Sequence, residues 1–258
     1  MEETGKNPIQ VAERLFQVIE CLAEYGPMGI MDLSVQLGFH KSTTHRLVTS
    51  LQYMGYIRQD EESLKYALSL KFLEIGGKIL EQTNMASLIH PSLKKLSEQT
   101  GETVHLVRRE GTEAVSIDKV ESTVSSIRMV SRVGSRIPLY CSGVGKALLA
   151  ELPDPEIEDI WNSSEIASLT PYTVTRLSDL MDRIRGVREA GYAMDDEENE
   201  EGVRCIAVSI PDYHKEPVYA LSISAPVSRM TDARIAELSA DVLTFKKDLE
   251  KTLGFSRS

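Results

Sequence analysis

Two groups of residues in this 258-residue chain have types and spacing that could do chemistry. The first lies between His40 and Arg58. This stretch has no Asp or Glu, while Lys41, Arg46 and Arg58 are cationic and His40 and His45 become so on protonation. At helical spacing Ser42, His45, Arg46 and Thr49 share one face, and Thr44, Leu47, Val48 and Leu51 share the opposite one. A face of short polar and basic side chains suits a duplex groove, because Ser and Thr hydroxyls reach phosphates or base edges and Arg can fork onto guanine. A solvated helix face, or one that binds protein, is the competing reading.

The second group is spread through the C-terminal half. Gly143 and Gly145 sit where a strand gives way to a helix, so backbone N–H groups there would favour an anion. A plain glycine turn is the alternative. Asp195, Asp196, Glu197, Glu198, Glu200 and Glu201 place six carboxylates in seven residues, but not at EF-hand spacing, so a solvated loop is expected before a calcium site. Cys205, in an expected strand, reads as a small core residue before a nucleophile, since no His stands near it in sequence to activate it. Ser222 and Ser224 alternate with Leu221 and Ile223, so both hydroxyls share one strand face, lining either a polar pocket or the surface. The run Gly143-Val144-Gly145-Lys146 lacks the upstream Gly and following Ser/Thr of a phosphate loop, and there is no GxGxxG. No catalytic residue, metal site or cofactor is expected.

The elements that must hold the first group are helical. Asn7-Pro8 is a helix start, and Val11, Leu15, Val18, Ile19 and Leu22 mark a buried face over 8–25. A short helix over 30–37 ends at Gly38, and a third runs over 41–54. Residues 56–58 and 64–68 then form a hairpin about an Asp60 to Ser63 turn. Two helices joined by a tight turn, followed by a hairpin, make a winged helix-turn-helix, with Arg58 and Lys65 of the wing as backbone contacts. Helical spacing continues over 68–82 with a flex point at Gly76-Gly77. Beyond it come a helical stretch over 85–100 interrupted by Pro91, strands at 103–109, 113–120, 126–130, 204–210 and 217–224, and helices at 144–152, 177–190 and 231–253. This order suggests an α+β sensor domain, GAF- or PAS-like, with a mainly antiparallel sheet. The expected organisation is a winged helix-turn-helix over 1–68, a linker helix over 69–83 and an effector-binding domain over 84–258.

Composition sets the outer limits. With 41% hydrophobic and 26% charged residues the chain can bury a real core. The net charge of -10 argues against a nucleic-acid partner as a total, but the His40 to Arg58 stretch is locally basic. Three cysteines, Cys21, Cys141 and Cys205, form no CxxC and no even framework, which disfavours disulfides and structural zinc. No run of about 18 apolar residues occurs, and the first residues lack a signal-peptide pattern. A soluble chain in a reducing cytoplasm is expected.

The run Leu33-Ser34-Val35-Gln36-Leu37-Gly38-Phe39-His40-Lys41-Ser42-Thr43-Thr44-His45-Arg46-Leu47, followed by Leu51 and Met54-Gly55-Tyr56-Ile57, resembles the N-terminal signature of the IclR-type bacterial regulators. Arg136-Ile137-Pro138-Leu139, Gly145-Lys146-Ala147-Leu148-Leu149-Ala150, Gly191-Tyr192-Ala193, Asp195-Asp196-Glu197-Glu198, Gly202-Val203-Arg204-Cys205-Ile206-Ala207-Val208 and Leu221-Ser222-Ile223-Ser224-Ala225-Pro226 resemble the effector domain of the same family, in order and spacing. The resemblance covers essentially the whole chain. It implies a repressor that binds double-stranded operator DNA through His40, Lys41, Ser42, Thr43, His45, Arg46, Thr49, Arg58 and Lys65. It further implies a small carboxylate or keto acid held by Gly143, Val144, Asp195, Cys205, Ser222 and Ser224, with Met129 as a wall, and self-association as a dimer or dimer of dimers. Ser126-Ile127-Arg128-Met129 through Ile137-Pro138-Leu139-Tyr140-Cys141 looks most like the branch that represses 2-keto-3-deoxygluconate and pectin catabolism genes. The rivals are a redox-responsive regulator or a GAF-type thiol enzyme using Cys141 or Cys205, and an adaptor whose N-terminal module binds protein.

Overall fold

The computed structural model describes residues 9–82, 85–122, 132–212 and 214–253. Asn7-Pro8, the strand expected at 126–130 and Met129 lie outside the described residues. Contacts divide the chain into two units, Met1–Thr83 and Asn84–Ser258.

The first unit comprises α1 (Gln10–Tyr25), α2 (Ile30–Leu37), α3 (Lys41–Tyr53), β1 (Ile57–Gln59), β2 (Tyr66–Leu68) and α4 (Lys71–Gln82). Its core follows most of the stripe expected from the spacing, with Val18 and Leu22 of α1, Leu33 of α2, Leu47, Val48 and Leu51 of α3, and Ile57 of β1, but Val11, expected on the same face of α1, is exposed at the helix start. Burial of each such side chain contributes about 1.5–3 kcal/mol, more than the marginal propensity of helices this short could supply. Gly38 stops α2 in the left-handed conformation, φ 67°, with its N–H directed at the Ser34 and Val35 carbonyls. That sharp stop lets α3 begin three residues later. The hairpin pairs antiparallel, Arg58 opposite Ala67, and its turn is closed by Asp60 Oδ1, which accepts from the Ser63 N–H at 2.8 Å and the Ser63 hydroxyl at 2.7 Å. The expected helix over 68–82 starts later, because Leu68 is held in the wing and the Ser69 hydroxyl donates to the Gly55 carbonyl at 2.6 Å. Gly76 and Gly77 lie inside an unbroken α4.

The second unit contains α5 (Met85–Thr100), β3 (Thr103–Glu110), β4 (Glu113–Val120), β5 (Arg136–Pro138), α6 (Gly143–Ala150), α7 (Asp154–Ser163), α8 (Leu177–Ala190), β6 (Ala193–Asp196), β7 (Val203–Ile210), β8 (Tyr219–Pro226) and α9 (Asp232–Thr252). Six strands form one antiparallel sheet in the order β5-β4-β3-β8-β7-β6. One face packs Leu106, Ile206, Leu221 and Ile223 against Ile89, Leu93 and Leu96 of α5 and Leu238 and Val242 of α9. The other packs Val107, Ala114, Ala207 and Ala220 against Val144, Ala147 and Leu148 of α6 and Leu180 and Ile184 of α8. Helix α5 passes through Pro91 without the expected interruption. The donor lost at Pro91 costs one backbone bond, whereas the buried apolar side chains Ile89, Leu93 and Leu96 fasten the helix to the sheet on both sides of it.

Candidate functional site

In the first unit α3 presents its polar face to solvent. His40, Lys41, Ser42, His45, Arg46 and Thr49 are exposed and Thr43 is half-buried, while Thr44, Leu47, Val48 and Leu51 point inward. Thr49 Oγ1 and His45 Nδ1 lie 3.5 Å apart one turn along the same face. Thr43 and Arg46 also line a groove against Val11, Arg14 and Leu15 of α1. Arg58 and Lys65 are exposed on the wing. The result is an acid-free helix start with three outward hydroxyls, Ser42, Thr43 and Thr49, and a guanidinium within about two turns, groups whose chemistry matches phosphates and base edges.

In the second unit the antiparallel register collects polar side chains from distant parts of the chain into two adjacent rows across one sheet face. Asp195 of β6, Cys205 of β7 and Ser224 of β8 are direct cross-strand neighbours in one row; Ala207, Ser222 and His105 of β3 form the next. The start of α6 lies over them. A Cβ at Gly143 would come within 2.6 Å of Cys205 Sγ, and one at Gly145 within 2.2 Å of the Leu139 carbonyl oxygen, so only glycine allows α6 to approach this closely. Ser142 caps the helix, its hydroxyl accepting from the Gly145 N–H at 3.1 Å and donating to the Pro138 carbonyl at 2.6 Å. Between α6 and the sheet is a cavity of about 80 Å³ lined by His105, Val107, Ile137, Ser142, Gly143, Val144, Asp195, Asn199, Glu200, Val203, Cys205, Ser222 and Ser224. It is small beside the 300–1,000 Å³ of drug-sized sites.

Residues 11–61 match the family model described as the IclR helix-turn-helix domain, and residues 77–250 match that of the bacterial transcriptional regulator IclR C-terminal. The chain belongs to the IclR family. It is 36% identical over 252 residues to the acetate operon repressor of Salmonella typhimurium, covering 96% of this chain and 92% of the relative. It is 34% identical over 255 residues to the regulator KdgR of Escherichia coli, covering 98% and 97%. The crystal structure of Thermotoga maritima IclR superposes with a TM-score of 0.62 at 31% identity, covering 95% of this chain and 99% of that one. The chain is therefore a DNA-binding transcriptional regulator with the family's two-part architecture. The near-equal identities to the acetate operon repressor and KdgR do not single out the 2-keto-3-deoxygluconate branch.

Within this IclR-family domain the acidic loop is only in part the solvated loop expected from its charge: Asp196, Glu200 and Glu201 are exposed and Glu197 is half-buried. Asp195 and Glu198 are buried. Asp195 Oδ1 accepts from the Glu198 N–H at 2.8 Å and the Asn199 N–H at 3.3 Å, and Glu198 Oε1 meets Lys146 Nζ of α6 at 2.5 Å. Thr170 and Thr173 donate to the Glu197 and Glu198 carbonyls, each at 2.6 Å. The loop is thus clamped from three sides, and sequence spacing alone could not reveal partners 25 to 52 residues away. Burial pushes the Asp195 carboxyl up to about 7 against the pull of the Lys146 ammonium. Burial, helped by the Lys119 ammonium, pushes His105 down to about 4, so its imidazole is neutral at pH 7.

Of the seven effector residues expected from sequence, Gly143, Val144, Asp195, Cys205, Ser222 and Ser224 meet at one cavity, and Met129 lies outside the described residues. His105, Val107, Ile137 and Asn199 also line it and were not anticipated. Tyr140 and Cys141 are not among its described lining residues; the Tyr140 hydroxyl donates to the Ala167 carbonyl at 2.8 Å and its ring packs edge-on against Trp161. Neither candidate thiol has the depressed pKa that thiol chemistry requires. Burial pushes Cys141 up to about 12 and raises Cys205 as well.

Proposed function

We propose that this regulator represses a carbon-catabolism operon and that a small carboxylate or keto acid, bound in the cavity between α6 and the sheet, controls it. The observation that carries the reading is the cavity itself: the first N–H groups of a capped helix, two serine hydroxyls and a buried carboxyl converge on a space sized for a small acid. In this reading Gly143, Val144, Asp195, Cys205, Ser222 and Ser224 hold the ligand, with Met129 as a further wall. Lys41, Ser42, Thr43, His45 and Arg46 enter the major groove, Thr49 extends that face, and His40, Arg58 and Lys65 contact the backbone. The functional organisation is a DNA-binding domain over 1–68, a linker helix over 69–83 and an effector domain over 84–258.

The chain acts as a dimer, or a dimer of dimers, on a pseudo-palindromic operator whose half-sites are about one helical turn, roughly 34 Å, or a multiple of it apart. Self-association is supported by apolar side chains left in water on the first unit: Val11 and Phe16 of α1, Leu73 of α4 and, just before it, Leu70, all more than half exposed. Ligand binding would alter dimer geometry across Gly76-Gly77; a coupling of about 1–3 kcal/mol gives a 5- to 150-fold change in operator affinity. Such a regulator works in the cytoplasm, and no described helix is long and apolar enough to cross a membrane.

For the ligand, the 126–141 resemblance favours 2-keto-3-deoxygluconate. The size of the cavity, about 80 Å³ against the 300–1,000 Å³ of drug-sized sites, favours a second reading, a two- or three-carbon keto acid such as glyoxylate. Calorimetric titration of the full-length protein with both acids separates them. Tight binding of one, lost in Ser222→Ala, supports the reading; failure of both to bind removes it.

A further inference from the structure

His105 has no counterpart among the ligand-holding residues assigned above, yet it is buried, lines the same cavity and stands directly opposite Ser222 in the β3–β8 register. Its Nδ1 lies 3.5 Å from Ser224 Oγ, which in turn lies 3.4 Å from Ser222 Oγ. These three side chains form a row along the cavity wall, with contacts long enough to shorten when a ligand fills the space.

The direction of the row decides what it can bind. Each hydroxyl has a single proton to give. If Nδ1 were the acceptor, Ser224 would spend its proton on His105, leaving only Ser222 with a proton to offer a carboxylate. If Nδ1 carries the proton, it satisfies an acceptor site on Ser224, and both hydroxyls can turn their protons to the cavity once the long 3.4 Å Ser222–Ser224 contact opens. A site that gives an anion both serine protons requires the second arrangement.

We propose that His105 is a positioning residue for the effector: its Nδ1–H donates to Ser224 and so turns the Ser224 and Ser222 hydroxyls toward a ligand oxygen. The proposal rests on the carboxylate reading of the cavity. The titratable groups placed near the row include Cys205 of β7, the cross-strand neighbour of Ser224, Asp195 of β6 beside it, Glu200 among the cavity-lining residues, and Lys119 of β4, the cross-strand neighbour of His105 on the side away from Ser222. Burial and Lys119 keep the imidazole neutral, so it acts through its tautomer and not through charge.

Two substitutions separate a donor from a mere filler. Asn presents a side-chain N–H near the place of Nδ1, whereas Leu fills the space without any donor. Calorimetric titration of the full-length chain with glyoxylate and with 2-keto-3-deoxygluconate should give His105→Asn affinities within about threefold of wild type, and His105→Leu affinities at least about tenfold weaker, the order expected when the Ser224 hydroxyl turns away and a charged ligand loses that one hydrogen bond. Undiminished binding by His105→Leu, or an equal loss in His105→Asn, overturns the proposal.

A second measurement needs no ligand. In ¹⁵N-imidazole spectra of the wild-type protein, with the His105 signals assigned by their loss in His105→Asn, His105 should be the neutral Nδ1–H tautomer from pH 5.5 to 8. The Nε2–H tautomer, or an imidazolium in that range, overturns the relay. If wild type binds neither acid, the carboxylate reading falls, and the tautomer alone decides whether the row is oriented as inferred.

Discussion

Replacing Asp195 by Asn should stabilise the effector domain, and only above acid pH. Asn keeps the side-chain oxygen that accepts from the Glu198 and Asn199 N–H groups, so the loop retains its closure. What it removes is a buried charge. The folded-state pKa of Asp195 is raised to about 7 from the ordinary 3.8. Between those two values the folded protein holds a proton that the unfolded chain has released, so the stability contributed by neutral Asp195 is complete below pH 3.8 and is lost as pH rises to 7. Three pKa units at 1.36 kcal/mol each give a cost of about 4 kcal/mol above pH 7. The Asn variant has no such proton to lose. Its advantage over wild type should therefore grow by about 1.4 kcal/mol per pH unit between pH 5 and 7 and level off near 4 kcal/mol. Trp161, the single tryptophan, lies in α7 and reports unfolding of this domain by fluorescence in urea. Parallel pH profiles for wild type and Asp195→Asn, with no divergence between pH 5 and 8, would refute the argument.

Further consequences are open to simple assays. Carboxylate binding by wild type should weaken as pH rises above 7, by up to about tenfold per unit, because Asp195 then repels the anion; the calorimetric profile should flatten in Asp195→Asn. Lys146→Met leaves Glu198 as a buried unpaired charge and should lower the urea stability reported by Trp161 by about 3–5 kcal/mol. Gly145→Ala drives a methyl group into the Leu139 backbone and should destabilise the same domain by about 1–3 kcal/mol or more, whereas the same change at Gly186, with nothing within 4 Å, should not. Arg46→Ala should weaken operator binding by about 1–3 kcal/mol in anisotropy titrations while leaving the circular dichroism spectrum unchanged.

The parts of this molecule legible in its sequence are those set by local periodicity. The α3 stripe of Leu47, Val48 and Leu51, and the left-handed stop at Gly38, follow from 3.6-residue spacing and glycine sterics, and the wing follows from its Asp60 turn. Alternation likewise put Ser222 and Ser224 on one face of β8. Short elements escaped: β5 is three residues and β6 four, too few to show a period, and both are strands only because a longer neighbour pairs with them. The polarity of 195–201 misled at Asp195 and Glu198 because a buried carboxylate is tolerable only with a partner, and Lys146, which meets Glu198, comes from elsewhere in the chain, as do Thr170 and Thr173, which bind the loop's backbone carbonyls. His105 was invisible for the same reason. Its place beside Ser222 and Ser224 is a property of the β3–β8 register, which joins residues more than a hundred positions apart.

The central claim is that a small acid in the effector cavity governs operator binding. Fluorescence anisotropy of the full-length protein on DNA from its own upstream region, at fixed salt, with and without glyoxylate and 2-keto-3-deoxygluconate, tests it most directly. The account predicts tight, sequence-specific binding that one of the two acids shifts by 5- to 150-fold, with the shift abolished in Ser222→Ala. Specific binding that neither acid alters at saturating concentration would contradict it.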